Sequence, residues 1–359
     1  MDSSFVLPQT PAFGEKKQRR GRLAQALFGG AKSMKRAALP DELYEPAEAA
    51  KPSLSSAKEH RVNRPTTLHL PGGKHGVLLF HGLSSTPAEL NYLARGLNRA
   101  GYTVRVPVIE GYSHGLVGRG ARGHREWVAG ALAAFDAMRS EYSTVSVGGL
   151  CIGSLLALCV SAARPSLISA TVGLSTTLHY DGWANPWTRH LLPLFRYLPI
   201  GGGIRIRERE PFGIKDERLR ALVAAQMRTS GASDAGASQL TVRDLLEAQR
   251  LARVVDRALP AVKAPTLLLH AKQDESASPR SSYEVAKGVS SEHVKLVLLS
   301  NCYHMISIDR ERGRVLSEMK GFLGEHVRPE ESTEVKTESA QVETGSLTPA
   351  QVERDACVA

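Results

Sequence analysis

The chain has 359 residues, 42% of them hydrophobic, 23% charged and only 6% aromatic, with a formal net charge of +10. That is enough apolar chain for one large domain or two smaller ones. No apolar run reaches the roughly 18 residues of a membrane-spanning helix, which excludes a helical transmembrane protein. The cysteines Cys151, Cys159, Cys302 and Cys357 form no CxxC pair and no metal-ligand spacing, so no disulfide framework, metal site or cofactor is expected, and a reducing, cytoplasmic setting fits.

Residues 1–64 carry a net +5, bunched between Lys16 and Arg36, and residues 329–359 carry a net −5, so the excess of +10 lies on 65–328. Both ends are too polar to bury a core and read as largely disordered. The folded unit is placed at 65–328. Within the leader, Arg22–Phe28 suits a turn or two of basic amphipathic helix, so 16–36 is expected to make at most a weak contact with an anionic membrane surface. Nucleic acid is not an expected partner, because the charge comes without a binding motif. Oligomeric state is left open.

From residue 65 onward, short apolar runs alternate with helical patterns. Gly76–Phe80 reads as a strand, Ala88–Ala100 as a helix, Thr103–Val108 as a strand and Arg125–Ser140 as a helix. Thr144–Gly148, Gly153–Ala163 and Ile168–Leu174 then read as strand, helix and strand. The rhythm breaks from about 177 to 259, where helical stretches occur without a good strand pattern, and resumes with strands at Thr266–His270 and Val294–Leu299. Near-continuous apolar strands separated by helices indicate an α/β fold with a mostly parallel sheet covered on both faces. The stretch 177–259 reads as a helical lid inserted over it. Its residues Trp183 and Trp187 offer an apolar roof for a substrate, or packing onto the sheet.

In such sheets the chemistry collects on loops leaving the carboxyl ends of the strands. The segment VSVGGLCIGSLLALC is strand, G-x-C-x-G, helix. Gly149 and Gly153 supply the small residues that a tight turn needs on either side of a nucleophile, and Cys151 stands at a helix N-terminus that favours the thiolate. Cys159, in mid-helix, reads instead as a buried structural cysteine. A second match, Gly111-Tyr112-Ser113-His114-Gly115, follows a strand but has no helix behind it. Ser113 is therefore rejected as a nucleophile, while His114 is kept as a residue that lines the site. Asp274 and His304 follow the last two strands, so nucleophile, acid and histidine fall in that order on strand-end loops.

The stretch from Gly76 to about Leu323 resembles the α/β-hydrolase superfamily, and most closely its bacterial carboxylesterase and monoacylglycerol lipase-like branch. The resemblance rests on VLLFHGLSSTPAEL, VPVIEGYSHG, GGLCIGS, PTLLLHAKQDESASP and NCYHMISID, in that order. It implies Cys151 as nucleophile in place of the usual serine, His304 as general base and then acid, and Asp274 as the carboxylate that orients the imidazole. It implies backbone oxyanion donors at Leu83 and Ile152, with His81 shaping the loop and available to substrate. The implied reaction is hydrolysis of a small-molecule carboxylic ester or thioester through an acyl-enzyme; transfer to another acceptor stays open, as does a degenerate triad that only binds.

Overall fold

The structure is a computed structural model that describes residues 4–6, 65–114, 123–185, 204–230, 232–233, 236–237 and 239–327. In chain order, the first strands are β1 (Ser4–Val6), β2 (Leu68–Leu70) and β3 (His75–Phe80). Helix α1 (Asn91–Arg99), β4 (Thr103–Val106), α2 (His124–Glu141), β5 (Thr144–Leu150), α3 (Ile152–Ala163) and β6 (Ile168–Leu174) follow. The chain then leaves the sheet for β7 (Arg205–Arg207), α4 (Glu217–Ser230), β8 (Ala232–Ser233), β9 (Gly236–Ala237), β10 (Gln239–Thr241) and α5 (Val242–Ala258). It returns with β11 (Thr266–Ala271), α6 (Arg280–Gly288), β12 (Val294–Leu299) and α7 (Arg312–His326).

Eight strands pair in the order β1-β12-β11-β6-β5-β3-β4-β2. The six inner ones are mutually parallel, and β1 and β2 close the two edges in antiparallel fashion. Strands β3 and β11 are buried along their whole length, as expected for strands with helices on both faces. Trp127, Phe135 and Met138 of α2, Leu155 of α3 and Leu251 of α5 fill one face. Leu93 and Leu97 of α1 with Val315 and Phe322 of α7 fill the other. This is the α/β fold with a mostly parallel, doubly covered sheet that the strand–helix alternation implies, and it agrees with the α/β-hydrolase arrangement that the resemblance implies.

Several boundaries differ from the sequence reading for local reasons. β4 stops at Val106, because Pro107 has no N–H to give to a ladder. The helix expected over Ala88–Ala100 is a 3-10 turn at Pro87–Leu90 followed by α1. Ser4–Val6, in the leader read as largely disordered, pairs with Lys295–Val297 of β12. The excursion after β6 does hold strand structure: Arg205–Arg207 pairs with Gln239–Thr241. Residues 16–36 lie outside the described residues. Among the described residues, no helix is long and apolar enough to cross a membrane.

The excursion is anchored where it rejoins the sheet. The Thr241 hydroxyl and the Asp244 carboxylate cap each other's backbone N–H at the start of α5. Glu247, one turn on, accepts from both the backbone N–H and the ring Nδ1 of His124 at the start of α2 and pairs with Arg250. Burial opposes the Glu247 charge, but these partners prevail and hold its carboxyl down at about 2. A depressed carboxyl stabilises the fold above its unfolded value, and that contribution is lost as pH falls toward 2. Glu247→Gln is therefore expected to lower the thermal midpoint at pH 7 and to flatten the loss of midpoint between about pH 4.5 and 2. Thermal melts of the two proteins across that range check this.

Candidate active site

β5 sits between β3 and β6 near the centre of the sheet, so the turn at its end meets the loops of its neighbours. β5 ends at Leu150 and α3 begins at Ile152, which leaves Cys151 alone at the corner with φ 58° and ψ −119°. A non-glycine residue in this left-handed region costs about 1–3 kcal/mol and persists only where its surroundings dictate it. Here the Cys151 N–H donates to the Leu174 carbonyl at 2.9 Å. The flanking glycines let the corner close: a Cβ on Gly149 would lie 2.2 Å from the Gly153 oxygen, and one on Gly153 would lie 2.2 Å from the Phe80 oxygen and 2.4 Å from the His81 oxygen. Backbone cannot yield as a flexible side chain does. Gly153→Ala is expected to cost on the order of 3 kcal/mol, read as a fall in the urea midpoint.

The loops after β11 and β12 bring the acid and the histidine to the same place. His304 Nδ1 lies 2.7 Å from Asp274 Oδ2, with both residues buried, and Cys151 stands near enough to act on the charge of the His304 ring. The other Asp274 oxygen accepts the backbone N–H groups of Ser276 and Ala277 at 2.9 and 2.8 Å. His270 Nε2 stands 3.2 Å from Oδ2. Burial opposes the Asp274 charge, but the His304 charge and the hydrogen bonds from His270 and His304 outweigh it and hold the carboxyl well below the usual range. Burial likewise opposes the His304 imidazolium, yet the charges of Asp274 and Cys151 and the hydrogen bond to Asp274 raise it well above an ordinary histidine. The His304 backbone is fixed as well, its N–H donating to Glu275 and its carbonyl accepting the Ser175 hydroxyl at 2.7 Å.

Leu83 and Ile152 both lie at this junction. Ile152 is the first residue of α3, where no intrahelical acceptor exists for its N–H, and no acceptor among the described residues takes the Leu83 N–H. His81 is buried, and its ring is committed to the loop: Nδ1 donates to the Gly82 carbonyl at 2.7 Å and Nε2 accepts the Ser113 hydroxyl at 2.8 Å. Burial pushes the His81 ring down to about 4, so it is neutral at pH 7. Both ring nitrogens of His81 are thus engaged with neighbours in the loop and the turn opposite it. Ser113 is buried, and its hydroxyl also accepts the Ile109 N–H at 2.9 Å. His114 is half-buried, and its backbone N–H donates to the Ser85 carbonyl.

Trp183 lies at the rim, 61% exposed, where its indole N–H donates to the Gln273 carbonyl and its ring meets the edge of Tyr303 beside His304. Trp187 lies outside the described residues, as does most of the apolar stretch expected to roof the site. Two contributors escape the sequence reading. The Thr177 hydroxyl is 3.5 Å from Cys151 Sγ, on the loop after β6. Glu89 is buried against the Gly82 N–H at 2.5 Å. The only signal for the first is a run of hydroxyls at a strand end, and for the second none, since a Glu among helical residues reads as solvent-facing.

The other described cysteines differ from Cys151. Cys159 is buried in α3, and burial pushes its thiol up to about 12. Cys302 is buried, and burial together with the Glu311 carboxylate raises its thiol too. Reactivity follows the thiolate and access to it. Brief iodoacetamide treatment of the folded protein is expected to modify Cys151 and to spare Cys159 and Cys302 until the protein is unfolded, as peptide mapping would reveal.

The chain matches the family Hydrolase_4 (serine aminopeptidase, S33) over residues 73–311. It is 25% identical over 256 residues to a thermostable monoacylglycerol lipase of Bacillus sp. strain H-257, covering 71% of this chain and 92% of that one. It is 23% identical to a carboxylesterase of Bacillus subtilis strain 168, covering 73% and 98%. Among solved structures, a metagenome-derived lipolytic enzyme of the LipS/LipT pair superposes with a TM-score of 0.61 at 22% identity, covering 73% of this chain and 98% of that one. A monoacylglycerol lipase of Paleococcus ferrophilus superposes with a TM-score of 0.60 at 18% identity, covering 73% and 99%; these two likenesses concern the fold. The family match runs from just before β3 to the turn that starts α7, across the six inner strands and every loop of the site, so the chain belongs to the Hydrolase_4 family of α/β hydrolases.

Proposed function

We propose that the protein hydrolyses carboxylic esters or thioesters of small molecules through an acyl-enzyme on Cys151, with His304 and Asp274 completing the triad. The observation that carries this reading is the buried Asp274–His304 pair, whose ring charge the nearby Cys151 sulfur acts on, with that sulfur on a strained turn at a helix N-terminus. His304, held cationic by Asp274 and the Cys151 sulfur, protonates the leaving alcohol or thiol as the thiolate attacks, and then draws a proton from the water that releases the acid. The amides of Leu83 and Ile152 are the proposed donors to the tetrahedral oxyanion, and the Thr177 hydroxyl steadies the sulfur.

The lipase and carboxylesterase among the relatives favour an oxygen ester with an uncharged acyl chain over transfer to a second acceptor. Trp183, at the mouth, is the proposed contact for that chain, and the excursion between β6 and β11 the proposed lid. A panel of p-nitrophenyl esters of rising chain length, a monoacylglycerol and an acyl thioester tests the reading. Release of free acid that stops after stoichiometric alkylation of Cys151 is expected. Undiminished turnover by the alkylated protein would overturn it.

A further inference from the structure

In the loop 81–85, which joins β3 to the Pro87 turn, the amides of residues 82, 84 and 85 are fixed, and the Ser85 hydroxyl is buried without a partner among the described residues. On one flank the His81 carbonyl accepts the Tyr112 hydroxyl at 2.6 Å, the Ser84 N–H donates to the Tyr112 carbonyl at 3.0 Å, and the Ser85 carbonyl accepts the His114 N–H at 2.8 Å. Ser113 extends this flank, relaying from the Ile109 N–H to the His81 ring. On the other flank Glu89, itself 2% exposed, takes the Gly82 N–H at 2.5 Å. The amides of Gly82, Ser84 and Ser85 are therefore all engaged, while the Leu83 amide between them has no acceptor among the described residues. Ser84 adopts a left-handed φ of 54°, a conformation that costs energy and that these bonds impose. The loop also rests on α3, since the His81 oxygen would stand 2.4 Å from a Cβ on Gly153.

We infer that Glu89 is a positioning residue that, opposite the Tyr112–Ser113–His114 turn, clamps this loop so that the Leu83 N–H is the one amide left to meet the oxyanion. The inference rests on the hydrolase reading above and deepens it. It also gives a use to the Gly111–Gly115 motif, which looks like a nucleophile site in sequence and serves as a scaffold in the fold. A buried carboxylate is a costly way to satisfy one amide unless that amide's orientation matters. Gly82 leaves room beside it, for a Cβ there would lie 3.1 Å from one Glu89 oxygen and 3.2 Å from the other, closer than an ordinary contact. Burial pushes the Glu89 carboxyl up to about 7, against the Gly82 hydrogen bond and the His304 charge. The group accepts the amide in either protonation state.

The test compares Glu89→Leu, Glu89→Gln and Ser113→Ala by ester kinetics and by the rate at which iodoacetamide alkylates Cys151. Alkylation at a saturated carbon develops no oxyanion, so it reports on the thiolate alone. Glu89→Leu is expected to lower kcat about 100-fold, the usual cost of an oxyanion donor, with KM within about threefold and the alkylation rate unchanged. Glu89→Gln keeps an oxygen for the Gly82 N–H and is expected to restore kcat to within about threefold of the wild type. Ser113→Ala loosens the opposite flank and is expected to lower kcat about tenfold at an unchanged alkylation rate. If Glu89→Leu does not fold, Ser113→Ala and Glu89→Gln decide. Wild-type kcat in Glu89→Leu or in Ser113→Ala, equal impairment of the Leu and Gln variants, or parallel loss of kcat and alkylation would overturn the inference. Turnover by the wild type that survives alkylation of Cys151 would instead overturn the hydrolase reading itself.

Discussion

Cys151→Ala is expected to reduce kcat for ester hydrolysis by about 10⁴-fold or more, leaving only the rate that binding and the oxyanion donors provide. The magnitude follows from the loss of the covalent route: without the sulfur, water must attack the bound ester directly. Because Cys151 sits on a strained backbone with φ 58°, alanine at this position has no new clash to make, and the variant is expected to melt within a few degrees of the wild type. Cys151→Ser keeps a nucleophilic atom in the same turn but lacks a thiolate, and its kcat is expected to fall between the two. Rates for the three proteins, with their thermal midpoints, separate loss of chemistry from loss of fold.

Asp274→Asn is expected to lower kcat by about 10⁴-fold. The carboxylate does two things that an amide does not. It accepts the His304 Nδ1 hydrogen at 2.7 Å, which leaves the opposite nitrogen free of the carboxylate, and its charge raises the imidazole against the effect of burial. An Asn NH₂ turned toward Nδ1 would favour the wrong tautomer. The sign of the pH effect follows from the same contact. A raised histidine holds its proton to higher pH, so the alkaline limb of kcat/KM in the wild type is expected above the ordinary histidine value near 6.5, and in Asp274→Asn the limb moves to lower pH. A pH–rate profile of both proteins measures this.

The inner sheet was legible because each of its strands is an apolar run of four to seven residues with a helix-length gap on at least one side. Ile168–Leu174 and Val294–Leu299 have the same bounds in sequence and structure. The edges were not. Ser4–Val6 and Leu68–Leu70 are three residues each, too short for periodicity, and owe their strand form to the neighbours they pair with. The corner at Cys151 could be read because glycine spacing is a local requirement of the turn. Glu89 could not, because its role depends on a 3-10 turn that points its side chain back toward Gly82. His81 shows the same limit: its residue type invites a substrate contact, and only the structure gives the partners on both ring nitrogens.

Intact mass after rapid quenching is the most direct measurement of the central claim. With a p-nitrophenyl ester in excess, the wild type is expected to gain one acyl mass, which peptide mapping places on Cys151 and which neutral hydroxylamine removes. The adduct is expected to be absent in Cys151→Ala and to accumulate in Asp274→Asn only on a longer time scale. Continued release of p-nitrophenol with the acyl mass on another residue, or the same adduct in Cys151→Ala, would contradict the account.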